Sequence, residues 1–121
     1  MTQVVLFICP HGAGKSRMAA AYFDLNAPPG WQATSAGIEP DPVLSPTAAR
    51  LLAGTDAESY LDSAPPRAIT EVTSANRVVG IDCTPDEATD HWQLSESDFN
   101  GAMRDEIRAR AEAFASEVGD G

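Results

Sequence analysis

Residues 4–20, VVLFICPHGAGKSRMAA, decide the fold of this chain. The stretch opens with five apolar residues, Val4 to Ile8, a run too short for a helix of its own and typical of a buried strand. Residues 10–14 follow as a small-residue loop with two glycines, which tolerate positive φ. A helical pattern begins at Lys15. This order of strand, loop and helix directs backbone N–H groups and the positive end of a helix dipole into the loop, so we predict an anion site there.

Cys9 stands where the predicted strand meets the loop. The field that attracts an anion also favours the thiolate form of a cysteine, and a thiolate is a nucleophile. The loop ends in Gly14, Lys15 and Ser16, which match the last residues of the nucleotide-binding motif G-x-x-x-x-G-K-[ST]. The first glycine of that motif would fall on Cys9, so a P-loop nucleotide binder is the alternative that we favour least. A small buried residue without chemistry is the other alternative for Cys9.

The composition excludes several classes of partner. The 18 acidic residues outnumber the 8 basic ones, and the net charge of −10 argues against nucleic acid or an anionic membrane surface, because both bind basic patches. Two of the few cations, Lys15 and Arg17, lie beside the loop. No apolar run approaches the roughly 18 residues of a membrane span, and a strand that starts near residue 4 leaves no room for a signal peptide. With two cysteines and no CxxC pair, we expect a cytoplasmic protein.

Strands and helices alternate along the rest of the chain. Ser45 can cap a helix that starts at Pro46 and ends before Gly54. Residues 70–75 predict a short helix, with Asn76 as its left-handed end. Further strands are predicted at residues 31–38, 77–82 and 91–94.

The last helix has the clearest pattern. Ser97 or Asp98 can cap its start, and residues 119–121 are expected to form a frayed tail. Its apolar positions recur at steps of three and four residues, at Phe99, Met103, Ile107, Ala111, Phe114 and Val118.

This alternation predicts the α/β class, as a single domain over residues 1–121. We expect a three-layer α/β/α arrangement around a flavodoxin-like parallel sheet of about four strands in the order 2-1-3-4. In such a sheet ligands bind at the carboxyl ends of the strands, which is where Cys9 lies.

Read as Cys9-x5-Lys15-Ser16, the loop resembles the phosphate-binding loop C-x5-R-[ST] of low-molecular-weight protein tyrosine phosphatases. Thioredoxin-coupled arsenate reductases, which share the fold of those phosphatases, have the same loop. The resemblance continues through most of the chain in the expected order. Its matching residues are Met18-Ala19, SAGI at 35–38, the strand at 77–82, and the arsenate-reductase-like HW at 91–92 and RDEI at 104–107.

The resemblance implies a hydrolase, a cysteine-dependent phosphatase that acts on a phosphomonoester through a phosphocysteine intermediate. Cys9 would be the nucleophile, and Ser16 would hydrogen-bond its thiolate. No cofactor or metal is expected. The partner would be a phosphate or arsenate oxyanion, carried by a phosphorylated protein or a small molecule. The oxygens would be bound by the backbone N–H groups of His11, Gly12, Ala13, Gly14 and Lys15.

The chain departs from the family pattern at catalytic positions. Lys15 replaces the arginine, and an ammonium is a point charge where a guanidinium grips two oxygens in one plane. The general acid, an aspartate before proline in the family, falls on Glu96, with Asp98 as a substitute. Gly12 replaces the loop asparagine, and no aromatic wall for a phosphotyrosine ring is identifiable. A catalytically degenerate module that binds oxyanions for regulation is therefore a further alternative.

Cys83 follows the third predicted strand, which we expect beside the first. Adjacent strands lie roughly 4.8 Å apart, so a disulfide between Cys9 and Cys83 is geometrically conceivable. Arsenate reductases use such a relay with a further cysteine that this chain lacks. An arsenate-reductase-like thiol enzyme, with Cys83 as redox partner and a thiol reductant as substrate, is thus an alternative to a phosphatase. Cys83 as an ordinary loop residue is the other interpretation.

Overall fold

A parallel four-stranded sheet in the order β2-β1-β3-β4 forms the centre of the molecule. The computed structural model describes residues 2–72 and 74–120, with the side chain of residue 120 left aside. The predicted α/β class and strand order are confirmed. The strands are Gln3–Cys9 (β1), Trp31–Gly37 (β2), Arg77–Ile81 (β3) and Asp90–Trp92 (β4), and the helices within the described residues are Lys15–Asn26 (α1), Pro46–Leu52 (α2) and Gly101–Asp120 (α3).

The central strand β1 pairs with β2 along one edge and with β3 along the other. A strand in that position is covered on both faces, which explains why every residue from Val5 to Cys9 is apolar and buried. The register aligns Cys9 with Gly37 at the end of β2 and Ile8 with Gly80 near the end of β3. The carboxyl ends of the strands therefore meet at the loop that follows Cys9.

The larger core lies on the face of the sheet that carries the three helices. Its centre is an aromatic group in which the ring of Phe7 lies 5.4 Å from Trp92, 6.0 Å from Phe23 and 6.3 Å from Phe114, measured between ring centroids. Tilted and edge-to-face pairs of this kind add to the stabilisation from burial. These contacts fasten β1, α1, β4 and α3 to one another.

The opposite face of the sheet carries a smaller cluster. Its buried members are Leu6, Ile8, Ala36 and Val78. Among the described residues, the side chains packed on it come from a 3-10 turn at Ile69–Glu71 and from the segments on either side of β3. The sheet thus lies between two layers, as predicted, and the second layer is built from a turn and irregular backbone.

The helix predicted at residues 70–75 is wrong. The 3-10 turn Ile69–Glu71 occupies its start, and Thr73 lies outside the described residues. Asn76 is not a left-handed helix end, because its φ is not positive. Its side-chain oxygen accepts the N–H of Val4 at 2.8 Å, and its own N–H donates to the Val4 carbonyl at 2.8 Å. Pairing with β1 therefore overrides the local helical tendency.

The ends of α3 also differ from the prediction. Asn100 caps the helix, since its side-chain oxygen accepts the N–H of Met103 at 3.1 Å, so Ser97 and Asp98 are not the cap. The helix continues through residues 119 and 120, where a frayed tail is predicted, and Gly121 lies outside the described residues. Among the described residues, no helix combines the length and hydropathy needed to cross a bilayer.

We expect Phe7→Ala to lower the free energy of unfolding by about 3–5 kcal/mol, because it leaves a cavity among three aromatic rings. Chemical denaturation followed by circular dichroism measures this loss. Tyr60→Ala is the matched control, since Tyr60 is 46% exposed and its truncation is expected to change stability by less than about 0.5 kcal/mol. Equal losses in the two variants would contradict the assigned core.

Candidate active site

The loop between β1 and α1 fits against the end of β2 by direct backbone contact. Gly12 has a φ of +65°, and a Cβ there would lie 2.6 Å from the Gly37 nitrogen. A Cβ on Gly37 would in turn lie 2.5 Å from the carbonyl carbon of His11. Neither position has room for a side chain, so two glycines permit the loop to close on the sheet.

The carbonyl groups of this loop are used by the segment of residues 38–45. The carbonyls of Cys9, Pro10, His11 and Ala13 accept N–H groups from that segment at 2.8 to 3.3 Å. By contrast, the N–H groups of His11, Ala13 and Gly14 donate no hydrogen bond to any residue that the structure describes. A concave loop with paired carbonyls and free N–H groups is an anion-binding arrangement.

Cys9 lies at the base of the loop and is 3% exposed. Its sulfur accepts the N–H of Gly12 at 3.2 Å and lies 3.1 Å from the hydroxyl oxygen of Ser16. Both contacts can stabilise negative charge on the sulfur, as does the adjacent N-terminus of α1. Cys9 and Ser16 thus lie together, as the loop motif predicted.

A cavity of about 390 Å³, the Cys9 cleft, opens above this sulfur. Its size is within the range of small-molecule sites. The cleft combines free N–H groups, a thiol, a histidine and a carboxylate. It is lined by Cys9, Pro10, His11, Ala13, Gly14, Lys15, Asp41, Ser45 and Phe99.

Phe99 is a site residue that sequence reasoning missed. Its place at the start of the apolar stripe assigned it to the core of the last helix. The structure places it before α3, packed so closely on Gly14 that a Cβ there would lie 2.6 Å from its ring. Its ring forms an apolar wall of the Cys9 cleft. The signal available in the sequence was an aromatic residue immediately before the cap residue Asn100.

Lys15 lies at the edge of the cleft and points toward the end of β3. Its Nζ donates to Asp82 Oδ2 at 2.7 Å, and both side chains are partly buried. Asp82 is held in place by the N–H of Leu94, which donates to Oδ1 at 2.8 Å, and has a φ of +54°. The charge of Lys15 is therefore already compensated by a fixed carboxylate.

A second cavity of about 640 Å³, the Cys83 cavity, lies on the other side of Lys15. Glu96 lines this cavity and does not line the Cys9 cleft. The exposed Asp98 lines neither of the two. Among the described residues, no group of three or more histidine, cysteine and acidic side chains could hold a metal ion.

No protein-family model matches the sequence, and no curated protein matches it significantly. Solved structures do match. An arsenate reductase from Archaeoglobus fulgidus has a TM-score of 0.73 at 28% sequence identity, over 93% of this chain and 98% of that chain. The thioredoxin-dependent arsenate reductase of Corynebacterium glutamicum has a TM-score of 0.75 at 23% identity, over 97% of this chain and 62% of that chain. This chain therefore spans less than two thirds of the Corynebacterium protein.

A low-molecular-weight protein tyrosine phosphatase from T. tengcongensis has a TM-score of 0.66 at 14% identity, over 97% of each chain. The chain has the fold of the low-molecular-weight phosphatases and arsenate reductases. The resemblance read from its sequence is confirmed. In this phosphatase and arsenate reductase fold, the loop after β1 is the one that carries Cys9, Lys15 and Ser16.

The second cysteine, Cys83, follows β3 and lies next to the end of β1. Its sulfur lies 3.4 Å from the carbonyl oxygen of Ile8, the residue before Cys9. Burial raises the pKa of the Cys83 thiol, as does negative charge on Cys9, and Lys15 acts in the opposite direction. Both cysteines are free thiols.

Arg17 takes a different position from its neighbour Lys15. Its side chain is fully buried beneath the loop, where its Nε donates to the carbonyl oxygen of Gly12 at 3.0 Å. Burial lowers the pKa of Arg17, and the negative charges of Asp62 and Cys9 oppose that shift. Sequence reasoning grouped Arg17 with Lys15 as cations beside the loop and assigned it no role.

We expect Cys9→Ser to lower the pKa of Cys83, because it removes one of the negative charges that raise it. The rate at which iodoacetamide alkylates Cys83, followed by mass spectrometry across pH, reports this change. The pH midpoint of Cys83 alkylation should fall in the variant and stay above that of a solvent-exposed cysteine, since burial still raises the pKa of Cys83. Ser116→Ala on the exposed face of α3 is the control, and an unchanged midpoint in Cys9→Ser would contradict the electrostatic contact.

Proposed function

We propose that this protein is a cysteine-dependent enzyme of tetrahedral oxyanions, and specifically a phosphatase that hydrolyses a phosphomonoester through a phosphocysteine intermediate. The observation that carries the proposal is the position of Cys9. Its sulfur is hydrogen-bonded at the base of a loop whose remaining N–H groups are free and border a cleft of substrate size. Similarity to arsenate reductases and a tyrosine phosphatase supports the same chemistry.

In the first step, the Cys9 thiolate attacks phosphorus opposite the ester oxygen. The S–P bond forms as the P–O bond breaks, and the leaving oxygen takes a proton from a general acid. In the second step, water attacks the phosphocysteine and gives a proton to that same group. The S–P bond breaks, phosphate leaves and the thiolate is restored. The free N–H groups of the loop hold the equatorial oxygens in both steps.

Lys15 and Glu96 are the candidates for the remaining catalytic roles. The ammonium of Lys15 has three donors, and Asp82 takes one of them, which leaves others for a phosphoryl oxygen. Glu96 lies in the Cys83 cavity, which Lys15 also borders. A leaving group that extends past Lys15 would therefore meet the Glu96 carboxyl, and a leaving group against Phe99 would remain in the Cys9 cleft.

We infer that the protein works in the cytoplasm. Both thiols are free, which suits the reducing cytoplasm. The partner is the oxyanion itself, on a phosphorylated protein or a small molecule. A net charge of −10 disfavours nucleic acid as a substrate.

We expect Cys9→Ser to reduce hydrolysis of para-nitrophenyl phosphate by more than about a thousandfold, because the covalent nucleophile is lost. Release of nitrophenolate measures the rate. Ser116→Ala, an exposed change on α3, should leave the rate unchanged. Hydrolysis that survives in Cys9→Ser would remove Cys9 as the nucleophile.

A matched pair of variants identifies the general acid. Glu96→Gln should slow hydrolysis by about a hundredfold or more, and Asp98→Asn by much less, because Glu96 borders a cavity beside Lys15.

If the wild type binds phosphate without turnover and Lys15→Arg restores turnover, the protein is the degenerate oxyanion-binding module instead.

Arsenate reduction is the second candidate, favoured by the place of Cys83 beside the end of β1. Here the Cys9 thiolate attacks arsenate and forms an S–As bond with loss of water. The Cys83 thiolate then attacks the Cys9 sulfur, and the electron pair of the S–As bond stays on arsenic, which leaves as arsenite. The resulting disulfide is reduced by an external dithiol, the thiol reductant that this reaction requires.

We expect the wild type to oxidise a dithiol in an arsenate-dependent reaction, and this activity to be lost in both Cys9→Ser and Cys83→Ser. Arsenite formation, measured by chromatography coupled to mass spectrometry, is the readout. Ser116→Ala should retain the wild-type rate. Arsenite formation that is unaffected by Cys83→Ser would exclude the two-cysteine relay.

A further inference from the structure

We propose that Arg17 is a positioning residue that sets the anion-binding geometry of the loop and supplies the buried positive charge beneath it. The inference rests on the proposed function in so far as the loop binds an oxyanion. It assigns to Arg17 the uncompensated positive charge at the loop, because Asp82 compensates the charge of the loop cation Lys15.

The peptide that joins Gly12 to Ala13 is oriented by Arg17. Arg17 Nε holds the Gly12 carbonyl oxygen at 3.0 Å, and the Arg17 side chain is fully buried, so this carbonyl points into the protein. The described chain contains no cis peptide bond, and in a planar trans peptide the N–H points opposite to the C=O. The Ala13 N–H is therefore turned away from Arg17, and Ala13 lines the Cys9 cleft.

The same contact holds the nucleophile. Gly12 donates its N–H to the Cys9 sulfur at 3.2 Å while its carbonyl accepts from Arg17, so one residue in the left-handed region links the thiol to the guanidinium. Rotation of this peptide would move the Ala13 N–H out of the cleft. Arg17 thus acts on the anion through Gly12, without touching it.

The balance of charge favours Arg17 over Lys15 as the source of positive potential. Lys15 Nζ lies 2.7 Å from its own carboxylate, Asp82. Arg17 lies 3.9 Å from Asp62, and that carboxylate also pairs with Arg67 at 2.8 Å. Two guanidinium groups therefore share one carboxylate, which leaves positive charge beneath the loop, where little water screens it.

If Arg17 only stabilised the fold, replacing Arg67 would have the same effect on the loop as replacing Arg17. Arg17 also bonds the backbone carbonyl of Asp62, and Arg67 bonds Thr34 and Ser35 on β2, so both arginines fasten residues 62–67 to the sheet. Arg67 does not contact Gly12 within the described residues. Arg67→Met is therefore the matched control for Arg17→Met, since it removes a cation from the same network and spares the loop.

The experiment is a titration of the ¹⁵N-labelled full chain with inorganic phosphate, with the amide spectrum and the dissociation constant as readouts. In the wild type, the Ala13 amide should be among the amides that shift most. In Arg17→Met the phosphate affinity should fall by about tenfold, the loss expected for one charge-assisted interaction, and the Ala13 shift should disappear. Arg67→Met removes the same charge from the Asp62 network but keeps the hydrogen bond to Gly12, so it should lose less affinity than Arg17→Met and retain the Ala13 shift. Arg17→Lys should recover part of the loss.

The rate of Cys9 alkylation by iodoacetamide in the absence of phosphate is the second readout. It should fall in Arg17→Met, recover in Arg17→Lys and fall less in Arg67→Met, which keeps the contact to Gly12. Equal affinities and equal rates in the two methionine variants would overturn the proposal. A wild type that binds no phosphate would instead overturn the proposed function, and the alkylation rates would still decide the role of Arg17. If Arg17→Met does not fold, the wild type alone can reject the inference: a chemical shift of the Ala13 amide that does not change when phosphate binds is sufficient.

Discussion

The contact on which the site depends is the backbone packing of Gly12 against Gly37. A Cβ at either position would lie within 2.6 Å of the facing backbone, so only a chain with glycine at both can bring the loop this close to β2. That approach lets residues 38–45 take up the loop carbonyls and leaves its N–H groups free. The concave loop with its free N–H groups is thus a consequence of sheet packing, and the cysteine is held at its base by the same turn.

Charge is distributed around the loop in an unusual way for the proposed oxyanion site. Where the phosphatases that the loop resembles have an arginine, this chain has a lysine held by a fixed aspartate, and a second cation, Arg17, is buried under the loop. A lysine is a point charge with separate donors, so it can serve Asp82 and an oxyanion together but cannot grip two oxygens in one plane. The orientation of the loop N–H groups therefore depends on the loop backbone and on the groups that bond its carbonyls, which are residues 38–45 and Arg17.

The two cysteines face two cavities separated by Lys15. Hydrolysis needs an acid near the leaving oxygen, and Glu96 lies across Lys15 from the thiol. Arsenate reduction needs a second sulfur near the first, and Cys83 is anchored to the residue that precedes Cys9. The architecture therefore places groups that each of the two proposed reactions would use, and the chain is similar in structure to proteins of both kinds.

Local chemistry in the sequence was sufficient for the strands and for α1. The pairing of Cys9 with Ser16 followed from the resemblance, and it is local because one short loop joins the strand end to the first turn of the next helix. The order of the sheet followed from the resemblance and the alternating pattern. Only the tertiary structure decided the rest. The Lys15–Asp82 pair spans 67 positions. Phe99 packs on Gly14 as well as on the core, and the segment at Asn76 pairs with β1 where a helix was predicted. Each of these depends on which distant groups the folded sheet brings together, and no periodicity within a segment records that.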